Sequence, residues 1–238
     1  MNNRISDLNR THAELNTQSG DLEGVPQELL QSLNIAKASR LYKKGQILFY
    51  EENRPFGLFY LSSGTVKLYK FTPDGKIYIT KIVKAGELLG CHAFFTGEAY
   101  SVTAEVLEDA VVCFIEKDAI KEIMAQDPQF SFKILGKLGR ELRDAEDKAA
   151  DIAYKSVSER MADLLLDLKE NFGQARADGQ ICLDISLSRE EMASMLGSTV
   201  ETTVRTLTRF RQLNLIGAEK KNIVLKDVSK LSDLIAAA

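Results

Sequence analysis

Residues 187–211 read LSREEMASMLGSTVETTVRTLTRFR, a stretch with the pattern of two short helices joined by a tight turn. Ser188 and Glu191 have the spacing of a capping box, in which each side chain bonds a backbone amide at the start of a helix. Gly197 is placed to end this first helix, because glycine adopts the left-handed conformation of a C-terminal cap without steric cost. The stretch therefore predicts a helix-turn-helix.

The second helix begins after Ser198 or Thr199, either of which can cap it. Helical spacing predicts one inward face and one polar face. An exposed polar helix in this motif places side chains against base edges in the major groove, where arginine pairs with guanine and glutamate accepts from cytosine. The alternative is a helical hairpin with a solvated charged face. The predicted inward residues are Val200, Val204, Leu207 and Phe210, and the polar residues are Glu201, Thr202, Arg205, Arg209 and Arg211.

Further elements are predicted on both sides of this motif. A helix capped by Ser158 precedes it, followed by a strand over residues 181–185 with alternating apolar residues. After the motif, residues 223–225 form a strand and residues 228–235 a closing helix. A strand on each side predicts the winged form of the helix-turn-helix.

A long helix is predicted to start at Asp127-Pro128. Its apolar residues alternate at spacings of three and four, the heptad pattern of a coiled-coil seam. This spacing favours pairing with a second copy of the chain over burial against the chain's own sheet. Tyr154-Lys155-Ser156 interrupts the seam and is expected to form a hinge. The seam residues are Leu135, Leu138, Leu142, Ala145, Ala149 and Ile152.

Short strand patterns fill residues 38–115. Pro73-Asp74-Gly75 is a turn between two alternating segments, which predicts a hairpin whose first strand buries Val66, Leu68 and Phe71. Several short strands at close spacing predict an antiparallel barrel or jelly roll. A short helix starts at Pro26, and residues 1–24 are expected to be a loosely attached arm.

The totals limit the possible functions. The net charge of −3 conceals a basic segment at residues 197–221, which suits a protein that contacts DNA with one module. The sequence has no long apolar run and no signal-peptide core, so we expect a cytoplasmic protein without a membrane partner. Three widely spaced cysteines suggest neither disulfides nor a zinc site. Two histidines and no nucleophile motif argue against an enzyme, and we predict no metal.

Residues 85–109 depart from the strand pattern. Gly86-Glu87-Leu88 leads into a helical turn at residues 93–95, before the next strand. A turn whose amides point into a barrel beside a carboxylate can cradle a small ligand or phosphate, although a structural turn is the commoner explanation.

This order of segments resembles the CRP/FNR superfamily of bacterial transcription regulators from about residue 25 onward. Gly86-Glu87-Leu88 is similar to the phosphate-binding cassette of the family, and TVETTVR at residues 199–205 is similar to the recognition helix of the FNR branch. The resemblance implies an α+β fold with a cyclic-nucleotide-binding-like barrel. It also implies a homodimer that binds palindromic double-stranded DNA and contacts RNA polymerase.

Four segments are predicted on this basis. They are a flexible arm at residues 1–24, a β-barrel sensor domain at 25–126, a dimerisation helix at 127–155 and a winged helix-turn-helix domain at 156–238.

The resemblance also assigns DNA contacts. It implies base contacts by Glu201 and Arg205. Val204 lies where the FNR branch has a serine that touches thymine, so the base preference there is open. The residues expected at the DNA backbone are Ser188, Thr199, Thr202, Arg209, Lys220 and Lys221.

An effector pocket is expected at Gly86, Glu87, Leu88, Tyr100 and Ser101. Cyclic-nucleotide-binding members place an arginine where this chain has Tyr100, and a phenol cannot supply the charge-assisted fork of a guanidinium. Cys91 and His92 fall near the iron of haem-sensing relatives and are competent haem ligands. The amino-terminal cysteine cluster of the iron–sulfur members is missing. The effector is therefore left open among cyclic AMP in a divergent pocket, haem, another small molecule and none.

Overall fold

The computed structural model describes residues 20–33 and 39–236, within which there are eight helices and ten strands. They fall into a first unit, drawn from Met1–Lys70 and Thr80–Leu142, and a second unit, drawn from Phe71–Ile79 and Arg143–Ala238. The helices are α1 Gln27–Ser32, α2 Cys91–Thr96, α3 Lys117–Gln126, α4 Pro128–Tyr154, α5 Val157–Phe172, α6 Arg189–Leu196, α7 Val200–Gln212 and α8 Val228–Ala236. The strands are β1 Ser39–Tyr42, β2 Ile47–Phe49, β3 Gly57–Phe71, β4 Ile77–Lys84, β5 Leu88–Leu89, β6 Thr103–Glu116, β7 Gly173–Ala175, β8 Ile181–Leu183, β9 Ile216–Glu219 and β10 Asn222–Leu225.

A six-stranded sheet in the order β1-β6-β3-β4 forms the larger of the two sheets, with β2 paired to β6 and β5 paired to β3. The pairs β1–β6, β2–β6, β3–β5 and β3–β6 are antiparallel, and the long β3–β6 pair runs from Gly57 opposite Glu116 to Tyr69 opposite Thr103. The predicted α+β class and antiparallel sheet are therefore confirmed. Among the described strands the sheet does not close into a barrel, because β1 and β4 at its two ends do not pair.

Strand β3 corrects the predicted strand pattern. Short strands were expected throughout residues 38–115, but β3 is a single strand of 15 residues with register shifts against β6 near Ser63 and Thr65. Shifts of this kind alter which side chains face the core beyond them. Val66 is fully buried, whereas Phe71, which was predicted to be buried, is 57% exposed at the end of β3, five residues further on and therefore on the opposite face of the strand.

The chain before α1 packs onto the first unit. Leu22 is fully buried, and Asp21 N–H donates to Gly86 O at 2.8 Å. A side chain at residue 20 would place its Cβ 2.2 Å from Gly86 O, so the close approach requires Gly20. Residues 1–19 lie outside the described residues, but the loose attachment predicted through residue 24 does not hold for residues 20–24.

Helix α4 runs for 27 residues from Pro128 to Tyr154, as the heptad pattern predicted. Lys155 and Ser156 separate it from α5. The N-cap of α5 is Ser156 and not Ser158, because the capping box forms between Ser156 and Glu159. The sequence offered two serines before this helix, and only Ser156 has its glutamate three residues later.

The second unit contains a four-stranded sheet in the order β7-β8-β10-β9 beside helices α5 to α8. The wing is the β9–β10 hairpin, in which Asn222 pairs with Glu219. The predicted winged helix-turn-helix is confirmed. Strand β7 was not predicted, because its sequence Gly-Gln-Ala carries no apolar alternation.

Candidate nucleic-acid interface and effector region

Local capping bonds fix both helices of the motif. In the capping box of α6, Ser188 N–H donates to Glu191 at 2.9 Å and Glu191 N–H donates to Ser188 Oγ at 3.1 Å. Gly197 has φ of +58°, as expected for the left-handed cap. Thr199 caps α7 by accepting a hydrogen bond from Thr202 N–H at 3.2 Å. The predicted helix-turn-helix is confirmed in its position and its caps.

The buried face of α7 differs from the prediction. Val200 and Val204 were expected to pack inward, but they are 39% and 42% exposed. The buried stripe instead passes through two threonines, and the Thr206 hydroxyl is satisfied by donating to Thr202 O at 2.9 Å. Because a threonine bonded to the preceding turn can be buried, apolar residues alone did not mark this face. The buried residues are Thr203, Thr206, Leu207 and Phe210.

The exposed face of α7 carries the predicted base readers. Glu201 and Arg205 are exposed and lie four residues apart, one turn of the helix. Val204 lies beside Arg205, and Arg209 is exposed one turn further on. Within the part of the chain that the structure describes, Glu201, Arg205 and Arg209 make no ion pair. Their charged groups are therefore available to a partner such as DNA.

The residues predicted to contact the DNA backbone lie at the N-caps of α6 and α7, within α7 and at the wing. Lys220 and Lys221 are exposed at the turn between β9 and β10, and Lys220 takes the left-handed conformation with φ of +52°. Thr202 and Thr199 share a hydroxyl contact of 2.9 Å. The two wing lysines place positive charge at the tip of the hairpin.

A further concentration of positive charge was missed in the sequence. Burial, followed by the neighbouring guanidinium of Arg211, lowers the pKa of Arg189 at the start of α6. The two residues belong to different helices, so no sequence pattern links them. Their proximity adds to the positive potential of the second unit.

Glu87, the carboxylate predicted for the effector pocket, lies in a cluster of ion pairs in the first unit. Its Oε2 is 2.8 Å from Lys81 Nζ and 3.3 Å from Lys137 Nζ, and its Oε1 accepts from Lys84 N–H at 3.3 Å. Glu141 joins the cluster, 3.1 Å from the Lys81 ammonium. Burial by itself raises the pKa of Glu87, but the two ammonium groups outweigh it and hold this pKa below its ordinary value. Both carboxylate oxygens are therefore engaged.

Lys137 is the most buried cation of this cluster, with 6% of its side chain exposed. Its Nζ is 2.9 Å from Asp21 Oδ2, and the same oxygen accepts from Leu88 N–H at 2.7 Å. Burial lowers the pKa of Lys137, but Asp21 and Glu87 more than offset this and raise it. Lys137 thus joins α4 to the amino-terminal segment and to the predicted cassette. The sequence did not reveal this role, because the partners are far apart in the chain.

Tyr100 and Ser101 lie apart from this cluster. Tyr100 is 5% exposed and stacks on Phe49 with ring centroids 3.9 Å apart, in a different part of the core from Leu88. Burial raises the pKa of Tyr100 to about 12, so its phenol stays protonated. Ser101 is exposed. The predicted pocket residues therefore form two groups, with Gly86, Glu87 and Leu88 near α4, and Tyr100 on a cavity of about 1030 Å³ that Arg40 and Arg54 also line.

Cys91 and His92 face different surroundings at the start of α2. Cys91 is 3% exposed, and burial raises the pKa of its thiol to about 12. His92 is exposed. Haem iron binds cysteine as the thiolate, so this buried thiol fits poorly as a haem ligand.

The seam residues of α4 are mostly exposed in the single chain. Leu135, Leu142 and Ile152 are 64%, 62% and 50% exposed, and Leu138 packs partly against the core of the first unit. Ala145 and Ala149 are exposed between them. A row of apolar side chains open to solvent along one helix is typical of an interface.

The described residues show neither a metal-binding cluster nor a membrane-spanning helix. They contain no cluster of three or more histidine, cysteine, aspartate or glutamate side chains that could hold a metal ion. None of the helices in residues 20–33 and 39–236 has the length and apolarity needed to cross a membrane.

Family models match both parts of the chain. Residues 39–127 match the model of the cyclic nucleotide-binding domain, and residues 159–234 match that of the Crp-like helix-turn-helix domain. The two models thus cover the first sheet and the winged motif separately.

Whole-chain comparisons point the same way. The chain is 35% identical over 201 residues to the transcriptional activator protein Anr of Pseudomonas aeruginosa, covering 84% of this chain and 81% of that protein. It is 32% identical over 205 residues to the transcriptional activator protein FnrA of Stutzerimonas stutzeri, covering 86% and 83%. The solved structure of FixK2 from Bradyrhizobium japonicum superposes with a TM-score of 0.73 at 26% identity, covering 84% of this chain and 98% of that one. Anr and FnrA are transcriptional activators and not enzymes, which confirms the prediction against catalysis.

Proposed function

This chain belongs to the CRP/FNR family of transcription regulators, and on that premise we propose that it acts as a homodimer on inverted-repeat DNA. The family membership gives it a DNA-binding helix-turn-helix and an effector-type domain of the cyclic-nucleotide-binding fold. The proposal adds the dimer, the residues that read the operator and the control of operator affinity by the first unit. DNA binding in a bacterium also implies a cytoplasmic protein.

The observation that carries the proposal is the exposed face of α7. It presents Glu201 and Arg205 one turn apart, with neither charge paired within the described residues. Glutamate can accept from a cytosine amine and arginine can form two hydrogen bonds with guanine, so the pair can read base edges in the major groove. We assign these two residues to bases, with Val204 beside them.

The remaining contacts fix the protein on the DNA backbone. Arg209 continues the exposed face, and Lys220 and Lys221 at the wing supply two further cations. Phosphate contacts position a protein without reading sequence. The residues proposed for the backbone are Ser188, Thr199, Thr202, Arg209, Lys220 and Lys221.

Dimerisation through α4 is supported by the exposed apolar row. Leu135 and Leu142 are seven residues apart, Ile152 continues the same alternation of three and four residues, and all three are at least half exposed. Pairing of two such helices would bury them and bring two recognition helices to one duplex. Half-sites would then lie about one helical turn, ~34 Å, apart.

Selection from random DNA tests the base readers. The wild-type protein should select an inverted repeat, and Arg205→Ala should lose ~1–3 kcal/mol of discrimination at one base pair of each half-site. The control is Lys117→Ala, which removes an exposed cation at the start of α3 in the first unit and should select the wild-type repeat. An identical repeat with Arg205→Ala, or no palindrome with the wild-type protein, would contradict the assignment.

We further propose that the first unit controls operator affinity through α4. Lys137 joins α4 to Glu87 directly and Glu141 does so through Lys81, so occupancy near Glu87 would change the register or rigidity of the helix pair. Effector and DNA affinities would then be linked reciprocally. Equal operator affinity with and without every candidate effector, measured by titration, would count against this control.

The effector itself is proposed only as a class of small molecule. The family model for residues 39–127 favours cyclic AMP, whereas the engaged oxygens of Glu87 and the phenol of Tyr100 argue for another ligand or none. Mass spectrometry and the absorbance spectrum of the purified protein distinguish nucleotide, haem and an empty site. Tight nucleotide binding without salt-dependent DNA binding would instead favour a nucleotide-binding module whose helix-turn-helix contacts protein.

The named relatives are transcriptional activators, so we propose that the bound dimer contacts RNA polymerase and activates transcription. In vitro transcription from a template carrying the selected repeat tests this. An increase in transcript with added protein supports activation, and a decrease indicates repression.

A further inference from the structure

Arg160, in the first turn of α5, contacts the ends of two other helical segments. Its Nη1 donates to Lys155 O at 2.7 Å and to Ile152 O at 3.4 Å, and its Nε donates to Leu196 O at 3.1 Å. One guanidinium thus bonds three backbone carbonyls within the second unit. No sequence pattern predicted this role, because Leu196 lies 36 residues from Arg160 in the chain.

These carbonyls occupy particular places in the fold. Ile152 and Lys155 lie at the C-terminal end of α4, and Leu196 is the last residue of α6, directly before the Gly197 turn that leads into α7. Carbonyls at helix ends lack partners in their own helix, and a cation there is favoured by the helix dipole. The planar fork of arginine can reach several acceptors at once, which an ammonium group cannot do in the same way.

The link between α4 and α5 is also held by side chains. Lys155 Nζ lies 2.8 Å from Asp151 and 2.7 Å from Asp163, so it bridges the two helices. Ser156 and Glu159 complete the capping box at the start of α5. These bonds join α4 and α5 at Tyr154-Lys155-Ser156, where the sequence suggested a hinge.

We propose that Arg160 is a positioning residue that fixes the direction of α7 relative to the C-terminal end of α4. In a dimer paired through α4, this direction sets the separation of the two recognition helices. Arg160 therefore determines which half-site spacing the dimer accepts, without touching DNA. The inference rests on the proposed function, because it requires a dimer that binds an inverted repeat.

The test compares full-length wild-type protein with Arg160→Met and Arg160→Lys. Binding is measured to the selected operator, to operators with one base pair added or removed between the half-sites, and to a single half-site. The matched control is Lys169→Met, which removes a cation that pairs with Glu170 in the last turn of α5. Thermal melting and circular dichroism establish that each variant is folded.

The expected result is a loss of spacing preference. Arg160→Met should bind the selected operator about tenfold more weakly, and its preference over the altered spacings should shrink by a similar factor. Its single half-site affinity should stay at the wild-type value, since α7 itself is intact. Arg160→Lys keeps the charge and should be intermediate, whereas Lys169→Met should match wild type.

Two results would overturn the proposal. One is an equal loss on every DNA, single half-site included, which indicates a general structural role. The other is a wild-type spacing preference in Arg160→Lys, when Arg160→Met either shows the same preference or is unfolded. Failure of the proposed function would look different, because the wild-type protein itself would then bind no inverted repeat.

Discussion

Lys137 illustrates what single residues contribute to this molecule. A buried ammonium group is costly to desolvate, and here the cost is offset by carboxylates from two other parts of the chain, Asp21 and Glu87. If only the Lys137 ammonium group is removed, the carboxylates of Asp21 and Glu87 stay in an environment where water solvates them poorly. The cluster therefore makes the attachment of α4 to the first unit specific.

Lys137→Met should destabilise the first unit by roughly 3 kcal/mol at neutral pH, because it leaves Asp21 and Glu87 without their shared cation. Chemical denaturation followed by circular dichroism measures this. The control is Lys121→Met, whose partner Asp118 is exposed, and it should change stability by under ~1 kcal/mol.

Acid should reduce the difference between Lys137→Met and wild type. The pKa of Glu87 is lowered in the folded protein. Its ionised carboxylate therefore stabilises the fold above the unfolded pKa of about 4.3, and this stabilisation is lost as the pH falls through the folded pKa. A destabilisation that stays constant down to pH 3 would show that lost packing, and not lost charge pairing, causes it.

At the scale of elements, α7 and α4 show opposite relations between apolar residues and burial. Helix α7 buries Thr203 and Thr206 and exposes Val200 and Val204. Helix α4 leaves its heptad row in solvent. In both helices the exposed apolar side chains lie on a face that the proposed function uses. In α7 this face would contact DNA, and in α4 it would contact a second α4 in the dimer.

Leu142→Glu should shift the protein from dimer to monomer, because it places a charge on each helix of the seam. Sedimentation velocity measures the change, and operator affinity should fall with it. Leu41→Glu alters an exposed leucine of β1, 47% exposed, and should leave the dimer intact. A Leu142→Glu protein that still sediments as a dimer would place the interface elsewhere.

At the scale of the whole molecule, charge is unevenly distributed. The chain has a net charge of −3, yet the proposed phosphate contacts include three cations in each protomer, Arg209, Lys220 and Lys221. A dimer would therefore bring six of them to the DNA.

Operator binding should therefore weaken with salt, with a slope of log K against log salt concentration of about −5 for six phosphate contacts. Lys220→Ala removes one contact from each protomer and should make the slope less steep by about 2. A titration in NaCl measures both. A slope near zero for the wild-type protein would contradict the backbone assignment.

The sequence by itself determined the features that depend on neighbouring residues. Caps, turns and periodicity act within one or two helical turns, so Ser188, Glu191 and Gly197 predicted the helix-turn-helix and the heptad spacing predicted α4. Similar local patterns predicted the antiparallel sheet and the wing. The assignment of Glu201 and Arg205 to bases stays a prediction, made from the resemblance of this one helix to the FNR branch.

Tertiary structure alone decided the features that join distant residues. Packing determined that Phe71, at the end of β3, is exposed and which face of α7 is buried. The contacts of Lys137 with Asp21 and of Arg160 with Leu196 exist only in the folded chain. No local pattern encodes them, because a buried charge is stable only where the fold brings its partners within bonding distance.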